Sequence, residues 1–466
     1  MSKRRLLVVC LLALAIAAPQ LTGAVGRAGK PDIVVVMVDD LGAIDERILE
    51  RLPNIRDLFL GGGLRFDQAY AETPLCCPAR ASFLTGQHTR THGVTKNRAR
   101  LLDDSNTIAT ALHDAGYWTM MVGKYLNHSE DLADKTPEGW DRVAMLNTWL
   151  GSLWSSWWID GRPTTAGYHD RQMLRQSMRW LRRAPTNQPL FMWLTPRAPH
   201  WGSMAEDPRG SGRQTPWRAN VERRYQSDPR CEGLDAWKPD NYDWSVRPDG
   251  FPLERICRSL LTVDEMVGKV RTEMAVQGRD PVWMFTSDNG MAWGVDGYSL
   301  KNVPAAGRLP VYFAGRDIVP GATSALVSNI DFGPTLAELA GTSMPVAQGV
   351  SFANVLRGET GGRAWMLEDH PRGGFSGKDW TGPWWGIRTP EWHLVEWQGT
   401  RLYDLRADPL ERHDVSQFYA SRVMQLTQLG RSVLTPGSGS DASLPVAGSV
   451  DNEVLGQVGW FGVGGP

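Results

Sequence analysis

The chain has 466 residues, with 50 Lys+Arg against 51 Asp+Glu and a formal charge of −1. Its 42% hydrophobic and 22% charged residues are ordinary globular values, which exclude a disordered or fibrous chain. The missing basic excess speaks against a nucleic-acid binder. At roughly 150 residues per domain the length allows about three domains, or one large α/β enzyme with a smaller appendage. Trp outnumbers Phe and Tyr, 21 against 12 and 10. Such rings suit a core first and a sugar or aryl platform second.

Lys3, Arg4 and Arg5 precede the apolar run Leu6–Ala18, which is shorter than the roughly 20 residues of a spanning helix. A charged start, a short apolar run and small residues after it predict a secretory signal over 1–24, with export to the medium or the cell envelope. Cleavage could follow Ala17, Ala18 or Ala24. Losing Lys3, Arg4 and Arg5 takes the formal charge from −1 to −4. No later stretch is long and apolar enough to span a membrane. Cys10 leaves with the signal; Cys231 and Cys257 could then pair in an oxidising compartment, although spacing alone does not decide this.

Ile33–Val38 (IVVVMV) is a β-branched apolar run bounded by Asp32 and by Asp39-Asp40, the pattern of a strand buried on both faces. Similar runs recur at Tyr117–Val122, Leu190–Leu194, Val282–Thr286 and Leu309–Ala314. Helical periods lie between them at Thr107–Ala115, Asp170–Arg183 and Leu260–Met274. This alternation predicts an α/β fold with a large, mostly parallel central sheet flanked by helices. Trp201–Pro252 is polar and aperiodic, a long excursion around the sheet. Past about residue 360, Trp385–Arg388, Trp392–Trp397 and Arg401–Leu405 alternate as antiparallel strands before a helix over Ala420–Leu434. The domain reading is therefore a catalytic unit over 30–358, a smaller C-terminal α+β unit over 359–434, and a Ser/Gly/Pro-rich, flexible tail over 435–466.

Ligands of parallel α/β sheets bind beyond the carboxyl ends of the strands. Two such ends carry oxygen ligands, Asp39-Asp40 and Asp288-Asn289. For either dipeptide alone, a helix cap or a turn is the plainer account. Together, three carboxylates and an amide at one edge need a cation, and all-oxygen ligation favours Ca²⁺ or Mg²⁺ over zinc.

The most specific segment is Cys76-Cys77-Pro78-Ala79-Arg80, running on through Leu84-Thr85-Gly86. It resembles the signature of the formylglycine-dependent sulfatases, of alkaline-phosphatase-like fold. The resemblance continues in order through Asp39-Asp40, Gly123-Lys124-Tyr125-Leu126-Asn127, Ala198-Pro199-His200, Asp288-Asn289, Lys301 with Arg308-Leu309-Pro310, Asp331–Thr335 and Leu402–Leu405 with Asp408–Glu411. Gly-Lys-Tyr-Leu-Asn and the Cys-Cys-Pro pair look most like the N-acetylglucosamine-6-sulfatase branch.

The resemblance implies that a formylglycine-generating enzyme oxidises Cys76, and that its hydrate attacks the sulfur of a sulfated small molecule or glycan. The second hydroxyl then expels sulfate. It implies metal ligation by Asp39, Asp40, residue 76, Asp288 and Asn289. Arg80 would hold the diol, Lys124 and Lys301 would face the sulfate oxygens, and His200 would protonate the leaving oxygen. One position departs. Many members carry His where this chain has Leu126, and that His is assigned as the base for diol collapse; Asn127 cannot replace it, leaving His128, His92 or another group. His92 otherwise reads as a turn residue and His88 as a surface one. Trp149–Trp158 reads as a buried hairpin or helix before a substrate wall, and Trp201, beside His200, as a stacking platform. Two rivals remain: a phosphate or phosphonate monoester hydrolase on the same fold, and a catalytically silent, Trp-rich glycan-binding protein.

Overall fold

A computed structural model describes residues 29–434 except 44–46, 133–134, 148–154, 201–220, 237–242, 244, 246–252, 293, 295–297, 299–300, 373 and 377–378. The signal, Trp201 and the C-terminal tail lie outside the described residues, as does most of the Trp201–Pro252 excursion.

The ten strands of the main sheet are, in chain order, β1 (Ile33–Val38), β2 (Gly63–Tyr70), β3 (Trp118–Gly123), β4 (Arg142–Leu146), β5 (Ser155–Ile159), β6 (Arg162–Ala166), β7 (Leu190–Thr195), β8 (Val282–Ser287), β9 (Val311–Gly315) and β10 (Gly321–Ser328). Across the sheet they run β10-β2-β9-β8-β1-β7-β3-β4-β5-β6. β9 is antiparallel to both its neighbours and β5 to both of its own; every other pairing is parallel. The expected run at Leu309–Ala314 is thus a strand that opposes the parallel set. Of the Trp-rich segment, residues 149–154 lie outside the described residues; the remainder falls in β5, which forms a hairpin with β6, and Trp157 is buried at 1% exposure.

β1 shows why a continuous apolar run suits the sheet centre. Val34, Val36 and Val38 pack on one face with α3 (His169–Leu181) and α4 (Leu253–Val276) through Met173, Leu174 and Leu260. Ile33, Val35 and Met37 pack on the other, with α1 (Cys76–Thr85), α2 (Ile108–Asp114) and α5 (Phe332–Leu339) through Phe83, Ile108 and Leu336. Period-two alternation delivers the two halves of one strand to two separate cores. α4 begins seven residues before the expected Leu260, because Leu253, Ile256 and Cys257 continue its buried face. Cys257 is joined to Cys231 by a disulfide across a separation of 26 residues, a closure worth roughly 3–4 kcal/mol by chain entropy.

The second sheet is antiparallel, in the order β11 (Met366–His370), β14 (Trp384–Arg388), β15 (Trp392–Glu396), β16 (Thr400–Asp404), with the small hairpin β12–β13 (Gly374–Ser376, Asp379–Thr381) beside it. α6 (Ala420–Leu434) covers one face through Leu426 and Leu429, packed with Ile387 and Leu394. Among the described residues, no helix is long and apolar enough to cross a membrane.

Candidate active site

β8, β1, β7 and β3 are neighbours running the same way, so their carboxyl ends share one edge. Asp39-Asp40 follow β1, Asp288-Asn289 end β8, Lys124 follows β3, and the Ala198-Pro199-His200 turn follows β7. All of these side chains except His200 are at most 2% exposed. The turn after β7, whose Ala198-Pro199 bond is cis, is held by its backbone: Asp170 accepts from the amides of Arg197 (2.9 Å) and Ala198 (3.2 Å), and the Asp39 amide donates to Ala198 O at 3.1 Å.

Cys76 opens α1, every residue of which is buried. Leu75, before it, offers no side-chain cap; Asn97 Oδ1 instead accepts from the Cys77 amide at 2.9 Å. The helix is seated by Phe83, stacked 5.4 Å from Trp193 of β7, and Tyr125, next to Lys124, meets the same indole edge-on at 5.8 Å. One Trp thus positions both the Cys76 helix and the Lys124 turn.

Cys76 Sγ lies 3.8 Å from Asp39 Oδ1, 4.0 Å from Asp40 Oδ1 and 2.9 Å from Lys301 Nζ. Lys124 Nζ donates to both Asp39 oxygens, at 2.8 and 2.6 Å, and Lys301 Nζ to Asp40 Oδ1. Arg80, one turn along α1, gives its Nε to Asp288 Oδ2 at 2.8 Å and its Nη1 to Lys124 O, with Nη2 3.9 Å from Asp39 Oδ1. Burial alone would raise the Asp39 carboxyl; Lys124, then His200, outweigh it and bring the pKa down to about 2. Asp40 is likewise held low, with Lys301 the main opponent of burial. Burial pushes the Cys76 thiol up to about 11 against the pull of Lys124 and Lys301. His200 Nε2 is 3.5 Å from Asp40 Oδ2, and burial takes its imidazole down to about 4 despite both aspartates.

The arrangement offers a possible metal site. Ligand atoms of Asp39, Asp40, Cys76 and His200 lie within 4.8 Å of one another. Asp40 Oδ2 and Asn289 Oδ1 are buried without a hydrogen-bond partner, the state expected of oxygens reserved for an ion. Asp288 differs: its Oδ1 accepts from the amides of Asp40 (3.1 Å) and Asn289 (2.8 Å), while Oδ2 takes Arg80.

Two thirds of the chain decide the family. Residues 31–342 match the sulfatase family model, and residues 307–431 match the model for the N-sulphoglucosamine sulphohydrolase C-terminal region. The chain belongs to the sulfatase family. It is 27% identical over 385 residues to the N-acetylglucosamine-6-sulfatase of Capra hircus, a match covering 72% of this chain but only 65% of that relative. It is 24% identical over 502 residues to the N-acetylglucosamine-6-O-sulfatase of Bacteroides thetaiotaomicron, covering 86% of this chain and 85% of the other. A structure solved with its substrate D-glucosamine-2-N,6-O-disulfate superposes with a TM-score of 0.66 at 21% identity, over 89% of this chain and 100% of its own, and supports the same fold.

Against that family background several residues fall into place. Leu126, the departure from the expected family pattern, is fully buried in the core beside Tyr125. His92 is held by Ser82 Oγ (3.1 Å) and by the Val94 amide (3.1 Å), a turn residue as expected. His128 Nδ1 faces Glu130 at 2.8 Å. His88 corrects the surface reading: it is buried, with Nδ1 3.1 Å from Glu72 Oε2, because the Glu72 carboxylate beneath it supplies a partner. Asn97, and Asn302 next to Lys301, carry no signal in the sequence, since their partners are distant in the chain. A groove of 1120 Å³ between α3 and α4, lined by Arg171, Arg175, Arg179 and Lys269, shares no residue with the site.

Proposed function

We propose that this protein hydrolyses a sulfate ester, releasing inorganic sulfate and an alcohol, and that its substrate is a glycan carrying sulfated glucosamine. The observation that carries the reading is the position of Cys76, first residue of a buried helix, with Lys301 2.9 Å from its sulfur and the Asp39-Asp40 pair about it. The named activities of the relatives supply the substrate class. A thiol raised to about 11 is protonated at neutral pH and a poor nucleophile, so the residue as encoded is not the working group.

Formylglycine at position 76 and a divalent cation, Ca²⁺ with Mg²⁺ as the near alternative, would supply an activated hydroxyl as nucleophile. Asp39, Asp40, Asp288 and Asn289 would hold the cation, the unpartnered oxygens of Asp40 and Asn289 first. Arg80 fixes Asp288 and borders residue 76. Lys124 and Lys301 present charge to the sulfate oxygens, where negative charge builds in the transition state. His200 is the candidate proton donor to the leaving oxygen; a bound sulfate would raise its imidazole from the low value that burial imposes. All ten residues of α1 are buried, so a formylglycine-generating enzyme must act before the chain folds. A signal over residues 1–24 would deliver the chain to the envelope or beyond.

Peptide mass across residues 76–80 of the active protein tests the reading. We expect an aldehyde at 76 and an intact thiol at 77, no activity from Cys76→Ala, and retained activity from Cys77→Ala. An unmodified Cys76 in a fully active preparation would sink the mechanism. Elemental analysis should find Ca²⁺ or Mg²⁺ retained by the wild type and lost from Asp40→Ala. Zinc in the active enzyme would contradict the all-oxygen ligand set.

A further inference from the structure

The small sheet reaches the surroundings of the site through the end of β11 and the start of β14. Asp369 is tied to the loop leading into Cys76: its amide donates to Glu72 O at 2.9 Å, its carbonyl accepts from Thr73 Oγ1, and its carboxylate receives Arg90 Nε and Nη2 at 2.7 and 3.0 Å. The next residue, His370, is fully buried and brings Nε2 to 3.3 Å from Asn302 Oδ1. Trp384, opposite His370 on β14, donates its indole N–H to Asn302 O at 2.8 Å. Asn302 sits in the left-handed region at φ 72° and is 5% exposed. A non-glycine residue held there needs its surroundings to fix it. Asn302 directly follows Lys301, whose ammonium reaches Asp40 and Cys76.

We propose that His370 and Trp384 are positioning residues: by gripping Asn302 they set the backbone from which Lys301 aims at residue 76. The proposal rests on the reading of Lys301 as a sulfate-facing charge. A lysine stem is long and loses about 2 kcal/mol of rotamer freedom when ordered, so anchoring its Cα removes freedom the side chain cannot remove for itself. A misplacement of about 1 Å can cost roughly 100-fold in rate. The C-terminal sheet is then part of the catalytic apparatus, bracing the Cys76 loop with Asp369 and the Lys301 turn with His370 and Trp384.

The test uses the full chain and p-nitrophenyl sulfate, with formylglycine content and thermal midpoint measured beside kcat and KM. Trp384→Phe keeps the ring and loses only the N–H; His370→Leu loses its donor, and His370→Gln retains one. We expect kcat to fall roughly 10- to 100-fold in Trp384→Phe and His370→Leu with KM within about threefold. His370→Gln should recover most of the loss, with formylglycine content and midpoint near wild type. Lys301→Ala should fall at least as far, and adding Trp384→Phe to it should cost nothing more, because both remove one interaction. Wild-type kcat in Trp384→Phe and His370→Leu beside a crippled Lys301→Ala would overturn the clamp and leave the site reading intact. So would additive losses, or losses that track the midpoint. An unimpaired Lys301→Ala would remove both the role of Lys301 and the clamp.

Discussion

Lys124 is enclosed by the carboxylate it neutralises, with Nζ 2.8 and 2.6 Å from the two oxygens of Asp39. Burial alone would lower its pKa, but attraction to Asp39, with Cys76 and Asp288 behind it, raises it, so the ammonium stays charged although it is 1% exposed. Lys124→Met should therefore lower kcat by about 3 kcal/mol, the order measured for removing one oxyanion donor. Sulfate release by the folded variant is the readout. His200→Ala should impair a sugar sulfate more than p-nitrophenyl sulfate, whose phenolate leaves without a proton. Equal losses on the two substrates would reduce His200 to a binding residue. At this scale the aspartates were legible from residue type at two strand ends, and the lysines and Cys76 from the resemblance to the family's motifs. Leu126 was visible as a departure from the family pattern; that it simply fills the core was not.

At the scale of elements, the Lys124 turn depends on one glycine. Gly123 ends β3 at φ 122°, and a Cβ there would lie 2.1 Å from Thr195 O, the carbonyl that accepts the Lys124 amide. Gly123→Ala must therefore push β3 away from β7 and carry Lys124 with it. We expect a loss of activity together with a stability cost of several kcal/mol, above the roughly 1–3 kcal/mol of backbone strain alone. Gly116→Ala is the control: φ is 88°, but nothing lies within 4 Å of the added carbon. It should cost about 1–2 kcal/mol, the left-handed backbone penalty alone, and spare activity. Urea unfolding beside sulfate release separates the two cases, and equal behaviour would argue against steric control of the turn.

Across the whole molecule, a buried ionic cluster of the second sheet meets the main sheet at Tyr70. Arg388 of β14 pairs with Glu368 and Glu411, each at 2.7 Å, and its guanidinium lies 4.1 Å over the ring of Tyr70 at the end of β2. His393 Nε2 lies 3.1 Å from Glu368 Oε2. Burial would raise the Glu368 carboxyl, but Arg388 and His393 hold it below the ordinary range. A carboxylate depressed in the fold lends stability above the unfolded pKa of about 4.3 and loses it as pH falls through the folded value. Arg388→Met leaves Glu368 buried with only His393 to oppose its burial, so it should destabilise by about 3 kcal/mol at pH 7, the low end for breaking a buried pair. The gap from wild type should narrow in acid as Glu368 protonates. Urea midpoints from pH 7 down to pH 3 would show it, and a gap that widened in acid would contradict this account.

Sequence alone determined what is local. IVVVMV has the pattern of a doubly buried strand and forms one; the periods of α2, α3 and α6 placed those helices to within a residue or two at most ends; and the resemblance of Cys76–Arg80 to the family signature singled out the segment that opens α1. Tertiary structure decided what depends on distant partners. β2 and β10 flank the sheet without a clean apolar run, since Arg65, Asp67 and Gln68 lie in β2 and β10 is exposed over its first half. Their place is fixed by pairing with each other and with β9. The partner of His88, the Asn97 substitute for an N-cap, and the grip of His370 and Trp384 on Asn302 all cross between 16 and 82 residues of chain. A sequence records periodicity and residue type along the backbone. Which carboxylate or carbonyl a side chain meets is set only when the sheet order brings remote strand ends to one edge.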